Sequence, residues 1–432
     1  MMKKVVFFII FVFLSASYFV MAETLQLSLN EAIGLGLKNS TTLKIKMLAT
    51  YSARAGVQSA KSAYYPSVEI GATYRHLFKE QKISGSYVAS SDPVSISTDV
   101  GQTIYTFGKL KNAARLAEEN LSLAEMDFEE EKRKLIIEIK RVFYWYILAE
   151  EVLAVQEETL KYKEEALDVA QKRYKAGLAP EYEVLSAESD VENFRPELIS
   201  AANQVEFALL AVKDLLGVVD EGDFDVELIG SLEPEYFIFT KGKLFEEALK
   251  NKYEVKQYKK SISLMEINEA ITKGGKKPVI AGFANYTLQS GFDPATGKAR
   301  NLAAGVSINM TLSALFPWSK ENADVKKDAL DLEQLKLGLS SIESGIRLNI
   351  ENILLQLEEE KAKISSGEKG VELALKLYAS ASERYINGLI SSMELKDTQI
   401  TLNTAQLGSL TSIYNYKSAL FDLMDAVGVD HF

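Results

Sequence analysis

A displacement of 211 positions carries the second half of this chain onto the first. Arg173-Tyr174, Gly177-Leu178, Glu183 and Val184 recur as Arg384-Tyr385, Gly388-Leu389, Glu394 and Leu395. By the same displacement the seven-spaced series Ile139, Tyr146, Leu153, Leu160, Leu167, Tyr174 maps onto Ile350, Leu357, Ile364, Val371, Tyr378, Tyr385, apolar at every position. Pro66, Ala72 and Tyr74 map onto Pro278, Ala284 and Tyr286 at 212, and Asn30-Glu31-Ala32 resembles Glu246-Glu247-Ala248 at 216. Self-similarity of this kind means two copies of one plan. Residues 23–217 form the first repeat and 243–427 the second, joined by an Asp-, Glu- and Gly-rich linker at 218–242 and followed by a tail at 428–432.

Each repeat reads as a helix, two strands and a long helical hairpin. Lys109 to Lys175 contains neither Pro nor Gly, and a continuous helix of that length would run roughly 100 Å. A strict seven-residue apolar repeat predicts a left-handed supercoil with a partner helix. The nearest partner is the next helical run, which folds back after Gly177 and Pro180, because a turn of a few residues enforces antiparallel packing. The hairpins are predicted over 108–216 and 318–427, with Gly388 marking the second tip. Pro196 lacks a counterpart in the second repeat and is expected to kink or break the first returning helix.

Ahead of each hairpin the period changes to two. Val68, Ile70, Ala72 and Tyr74 alternate with small or polar neighbours, as do Val94, Ile96, Thr98 and Val100; Ile280 to Leu288 and Val306 to Ala314 repeat the pattern. The strands are placed at 66–78, 93–107, 278–289 and 302–316, with polar loops from Lys79 to Asp92 and from Ser290 to Asn301. Taken singly, such alternation fits a half-buried soluble sheet at least as well as a membrane strand. Aromatic residues at the strand ends, Tyr64, Tyr65, Tyr105, Phe107, Phe316 and Trp318, tip the reading toward strands of a length that crosses a bilayer. Four strands cannot close a barrel, whose smallest known form has about eight, so several copies must share one.

Composition narrows the function. With no Cys and only His76 and His431, disulfides, thiol chemistry and His-centred metal sites are excluded, and no cofactor is expected. The formal charge of -11 repels nucleic acid. Lys3, Lys4, the apolar run Val5 to Leu14 and the small-x-Ala ending Val20-Met21-Ala22 read as a signal peptide over 1–22. Export then leaves 47 basic against 60 acidic residues, a net -13. Gly34-Leu35-Gly36 and Gly274-Gly275-Lys276-Lys277 lack the spacing of nucleotide-binding loops.

On the stretch Leu27-Ser28-Leu29-Asn30-Glu31-Ala32, on Tyr65-Pro66 before a strand and on the paired Arg-Tyr-x-x-Gly-Leu hairpins, the chain resembles the TolC-like outer-membrane efflux and secretion channel family over essentially its whole mature length. The resemblance implies a mainly α fold with a small transmembrane β part: a homotrimer in outer-membrane lipid, four strands per chain in one 12-stranded barrel, and a periplasmic α-helical barrel. It implies an exit duct of a tripartite efflux pump or type I secretion system, working with a periplasmic adaptor and an inner-membrane pump that supplies energy. It also implies that acidic residues six and nine positions after the second hairpin glycine, here Glu394 and Asp397, line a periplasmic constriction, with Glu183 the first-repeat match and Ser186 in place of a second carboxylate. Arg173, Gly177, Leu178, Arg384, Gly388 and Leu389 match the family's adaptor-contact tips. Ile390 stands where some relatives carry a basic residue. No catalytic or metal residue is implied.

Two other readings remain. A periplasmic coiled-coil adaptor or scaffold shares the export signal and heptads but leaves the alternating strands unexplained. A hydrolase with Glu394 and Asp397 as paired carboxylates lacks an accompanying pocket or nucleophile.

Overall fold

The computed structural model describes residues 25–76, 81–83, 86–88, 94–218, 226–290 and 298–432. The expected signal peptide falls outside them, as do much of the loop between the first two strands and positions 219–225 of the linker. The chain divides into two compact units: one comprises residues 1–39 and 142–232, the other 40–141 and 233–432.

The elements run in two parallel series. The first is β1 (Leu25–Leu27), α1 (Leu29–Asn39), α2 (Thr41–Ser62), β2 (Ser67–Tyr74), β3 (Gln81–Ile83), β4 (Ser86–Val88), β5 (Val94–Tyr105), α3 (Lys109–Lys175) and α4 (Glu181–Leu216). The second is β6 (Val226–Leu228), α5 (Lys241–Asn251), α6 (Tyr253–Gly274), β7 (Val279–Ser290), β8 (Lys298–Asn309), a 3-10 turn at Leu312–Leu315, α7 (Lys320–Ile386) and α8 (Ser392–Val427). The bounds of α3 and α4 reappear in α7 and α8 displaced by 211, and those of α1 and α2 in α5 and α6 displaced by 212. The pairing of Glu31-Ala32 with Glu247-Ala248 at 216 is therefore one helical turn out of step. A slip of four residues keeps the same face buried, and Ala32 and Ala248 are both fully buried, which is why the motifs look alike.

In the first unit, β1 pairs in parallel with β6 and buries Leu27, Val226 and Leu228. Ser28 opens α1: its backbone N–H and hydroxyl both donate to the Glu31 carboxylate, at 2.9 and 2.6 Å. These bonds hold the Glu31 carboxyl below its ordinary value. At the other end of α1, the Asn39 side chain donates to the carbonyl of Leu216, the last residue of α4, at 3.1 Å. Pro196 lies inside an unbroken α4, so the expected break does not occur. Val191, Phe194 and Ala201 are buried on either side of it, while Pro196 and Glu192 themselves are exposed. The carbonyl that loses its donor can face water, and packing holds the helix through the defect.

In the second unit, the seven-residue stripe forms the core. Ile350, Leu357 and Ile364 of α7 are at most 5% exposed and pack with Tyr416, Leu420 and Leu423 of α8 and with Leu244 and Ala248 of α5. Tyr258 of α6 sits where a Cβ on Gly338 would come within 2.8 Å, so this close approach of α6 to α7 requires glycine.

The sheet also belongs to this unit, in the order β2-β5-β7-β8, antiparallel throughout. Register aligns the alternation across all four strands. Ile70, Thr98, Tyr286 and Leu302 form one row, and Val68, Val100, Ala284 and Ala304 the row beside it on the same face. The opposite face carries Glu69, Asp99, Asn285 and Ala303, and the Asn285 amide donates to Asp99. The apolar face is uncovered, with Ile70 at 76% and Leu302 at 75% exposure. Among the described residues, β2 and β8 each leave one edge unpaired.

The last strand differs most from expectation. β8 begins at Lys298 rather than 302 and ends at Asn309 rather than 316. The alternation of Leu312 and Ala314 belongs instead to a 3-10 turn that buries Ala314, a short apolar run whose period does not separate the two conformations. The loop from Lys79 contains a small hairpin, with β3 paired to β4.

Candidate functional site

The hairpin tips are built by helix-end chemistry. Just after α3 the chain turns at Gly177, with φ of 72°; its N–H donates to the Tyr174 carbonyl at 2.9 Å and that of Leu178 to the Arg173 carbonyl at 2.8 Å. Just after α7, Gly388 has φ of 73°, and the N–H groups of Gly388 and Leu389 donate to the carbonyls of Tyr385 and Arg384 at 3.0 and 2.8 Å. Both glycines hold a left-handed conformation that closes the last turn. The leucine after each is thrown outward: Leu178 is 73% exposed and Leu389 69%.

Beyond the glycines the two tips diverge. Pro180 caps α4 without a side-chain hydrogen bond. The Glu183 carboxylate faces Arg173 within its own hairpin at 3.6 Å, with both side chains largely buried; the Glu183 Oε2 accepts no hydrogen bond. In the second tip, Ser391 and Glu394 form a reciprocal capping box. The Ser391 N–H donates to Glu394 Oε2 at 2.9 Å, and the Glu394 N–H donates to Ser391 Oγ at 3.3 Å. Glu394 and Asp397 are both exposed, three positions apart on the first turns of α8, so their carboxylates lie on one face. Arg384 is exposed, whereas Tyr385 beside it is buried.

A second constellation was not singled out from the sequence. Arg133 of α3, 11% exposed, donates to Glu130 and, at 2.6 Å, to Asp425 of α8. Lys252 reaches the same Asp425 carboxylate at 3.1 Å. One heptad on, Lys140 donates to the Asp430 carbonyl at 2.5 Å, and Arg141 to Asp422 at 2.7 Å. Burial pushes the Lys140 ammonium down. Burial also works against the Asp425 carboxylate, yet the Arg133 hydrogen bond and the Lys252 charge more than offset it and hold the group below its ordinary value. The only signal in the sequence is the seven-residue spacing of Arg133 and Lys140, which a solvated helix face shows equally well.

Among the described residues no cluster of His, Asp and Glu is arranged to hold a metal, and no helix is long and apolar enough to cross a membrane. His76 lies exposed beyond β2.

The profile of the outer membrane efflux protein family matches residues 32–218. No curated protein sequence matches the chain. Among solved structures, the outer-membrane channel OprN superposes with a TM-score of 0.79 at 16% identity, covering 93% of this chain and 89% of that one. The Campylobacter jejuni CmeC outer membrane channel gives 0.79 at 16%, with coverage of 93% and 86%. The outer membrane protein VceC from Vibrio cholerae gives 0.77 at 16%, with 93% and 96%. Both repeats and the sheet thus follow the TolC-like architecture, and the first repeat is similar in sequence to the outer membrane efflux protein family.

Proposed function

We propose that this chain is one protomer of a homotrimeric outer-membrane channel, the exit duct of a tripartite efflux pump or type I secretion system. The observation that carries this reading is the sheet: four strands with one uncovered apolar face, one polar face and two unpaired edges. Open edges and an exposed apolar face are costly in water, and in lipid only a closed barrel satisfies the backbone. Three copies supply 12 strands, joining β8 of one protomer to β2 of the next. Seven-spaced exposed leucines on α7, Leu330 with Leu337 and Leu348 with Leu355, supply a further seam for neighbouring copies.

The polar sheet face then lines the pore, and the helices continue the path through the periplasm. Solutes leave by this path with energy from an inner-membrane pump. Leu178 and Leu389 at the tips are the docking points for a periplasmic adaptor, beside Arg173 and Arg384. Glu394 and Asp397 ring the periplasmic entrance and favour cations. Glu183, engaged by Arg173, serves that ring as a hairpin brace rather than as an open charge. Detergent extraction from membranes followed by light scattering and planar-bilayer recording tests the reading: a trimer with conductance is expected. A water-soluble monomer with no conductance would overturn it in favour of a periplasmic scaffold.

A further inference from the structure

Four short segments join strands to helices: 61–66 before β2, 105–111 after β5, 273–278 before β7 and 310–320 after β8. The register places all four at one end of the sheet, since Ser67 pairs with Gly101, Tyr105 with Ile280 and Val279 with Asn309. Lys277 of the third segment lies 5.9 Å from the centre of the Phe107 ring of the second. Lys276 donates at 2.5 Å to Asn322 in the first turn of α7, whose amide in turn donates to the Phe316 carbonyl of the fourth segment.

These 30 residues contain seven lysines and no acid, where the chain's 60 acids in 432 residues would place about four. Lys61 and Lys273 are paired, with Glu118 and Glu269, each at 2.7 Å. Lys109, Lys111, Lys277 and Lys320 are exposed and make no ion pair among the described residues. The same segments present Tyr65 at 72% and Trp318 at 81% exposure, with Trp318 stacked on Phe316 at 4.9 Å. A local excess of cations on an acidic protein calls for an anionic partner. Aromatic rings beside the cations, continuous with the apolar sheet face, call for one that is also apolar.

We propose that this collar binds the phosphate headgroups of anionic phospholipids in the leaflet on the helix side of the membrane, a proposal that rests on the barrel reading above. Trp318, Tyr65 and Phe107 sit at headgroup depth. The lysine stems lie along the acyl boundary and their ammonium groups reach the phosphates. The collar fixes the depth of the barrel and gives it a preferred annulus of acidic lipid.

Trp145→Phe leaves Trp318 as the sole tryptophan. The full chain carrying this change, reconstituted in phosphatidylcholine vesicles, is titrated with acyl-brominated phosphatidylglycerol or acyl-brominated phosphatidylcholine, and quenching of Trp318 is measured. The expected result is a preference for phosphatidylglycerol of roughly five-fold or more, the strength of a single basic residue at an anionic surface. The preference should fall in 0.5 M NaCl, vanish in the Lys109→Gln, Lys111→Gln, Lys277→Gln triple variant and survive the corresponding arginine changes. Equal quenching by the two lipids, or a preference that survives the glutamine changes and salt, overturns the proposal while leaving the barrel intact. Absence of quenching by either lipid overturns the barrel reading as well.

Discussion

Replacing Glu394 and Asp397 by Gln and Asn tests whether charge at the second tip governs ion selection. Both carboxylates are exposed, so each acts through water: a cation about 10 Å away gains ~0.4 kcal/mol from one of them. Six such groups in a trimer give roughly 2.5 kcal/mol before screening, which about 10 mM salt reduces to ~1.7 kcal/mol and 1 M salt to near zero. In planar bilayers under a salt gradient, the wild-type channel should therefore prefer cations by about ten-fold or more at low salt, and the double variant should lose most of that preference. The capping box supplies the control. Gln at position 394 preserves the reciprocal bond with Ser391, so the double variant keeps its fold at the tip. Ser391→Ala instead removes the cap, at about 0.5–2 kcal/mol, and leaves both charges in place. Unchanged selectivity in the double variant, or an equal loss in Ser391→Ala, refutes the assignment of these carboxylates to the constriction.

Other outcomes follow from the geometry. Ile70→Arg, on the apolar face beside Thr98 and Tyr286, should cost about 2–4 kcal/mol of folding into lipid vesicles, whereas Thr73→Arg on the opposite face should cost far less; equal costs would refute the assignment of the two faces. Asp425 contributes stability that is complete above its ordinary pKa of 3.8 and drains away as pH falls below it, because its folded value is depressed. Since its side chain is 42% exposed, Asp425→Asn should cost only about 1 kcal/mol at pH 7, and thermal denaturation should show that gap closing toward pH 3. Leu389→Asp should lower transport roughly five-fold or more, as loss of an interface anchor does, without reducing trimer yield. Gly388→Trp should act in the same direction, with added backbone strain from its left-handed φ. Normal transport by assembled variants removes the tip from docking.

Much of the architecture could be read from periodicity, because helix and strand impose different repeats on the positions they bury. The seven-residue stripe located α3 and α7, and the two-residue alternation located the strands of the sheet. Boundaries were less legible. The strand expected over 302–316 stops at Asn309, and a 3-10 turn follows, while α4 continues through Pro196, since neighbours in space outweigh a local signal. At the tips, sequence placed the glycines, but not that Glu394 closes a capping box on Ser391 or that Glu183 turns toward Arg173.

The sequence by itself determined the duplication, the type of nearly every long element and the polarity of each strand face, because these depend on neighbours a few residues apart. Only the tertiary structure decided which groups separated by hundreds of positions meet. The pairing of β5 with β7 joins the two repeats in one sheet, Asp425 draws Arg133 and Lys252 to one carboxylate, and four lysine-bearing segments converge at one sheet end. Such meetings are set by packing and strand register across the chain, and no local pattern encodes them.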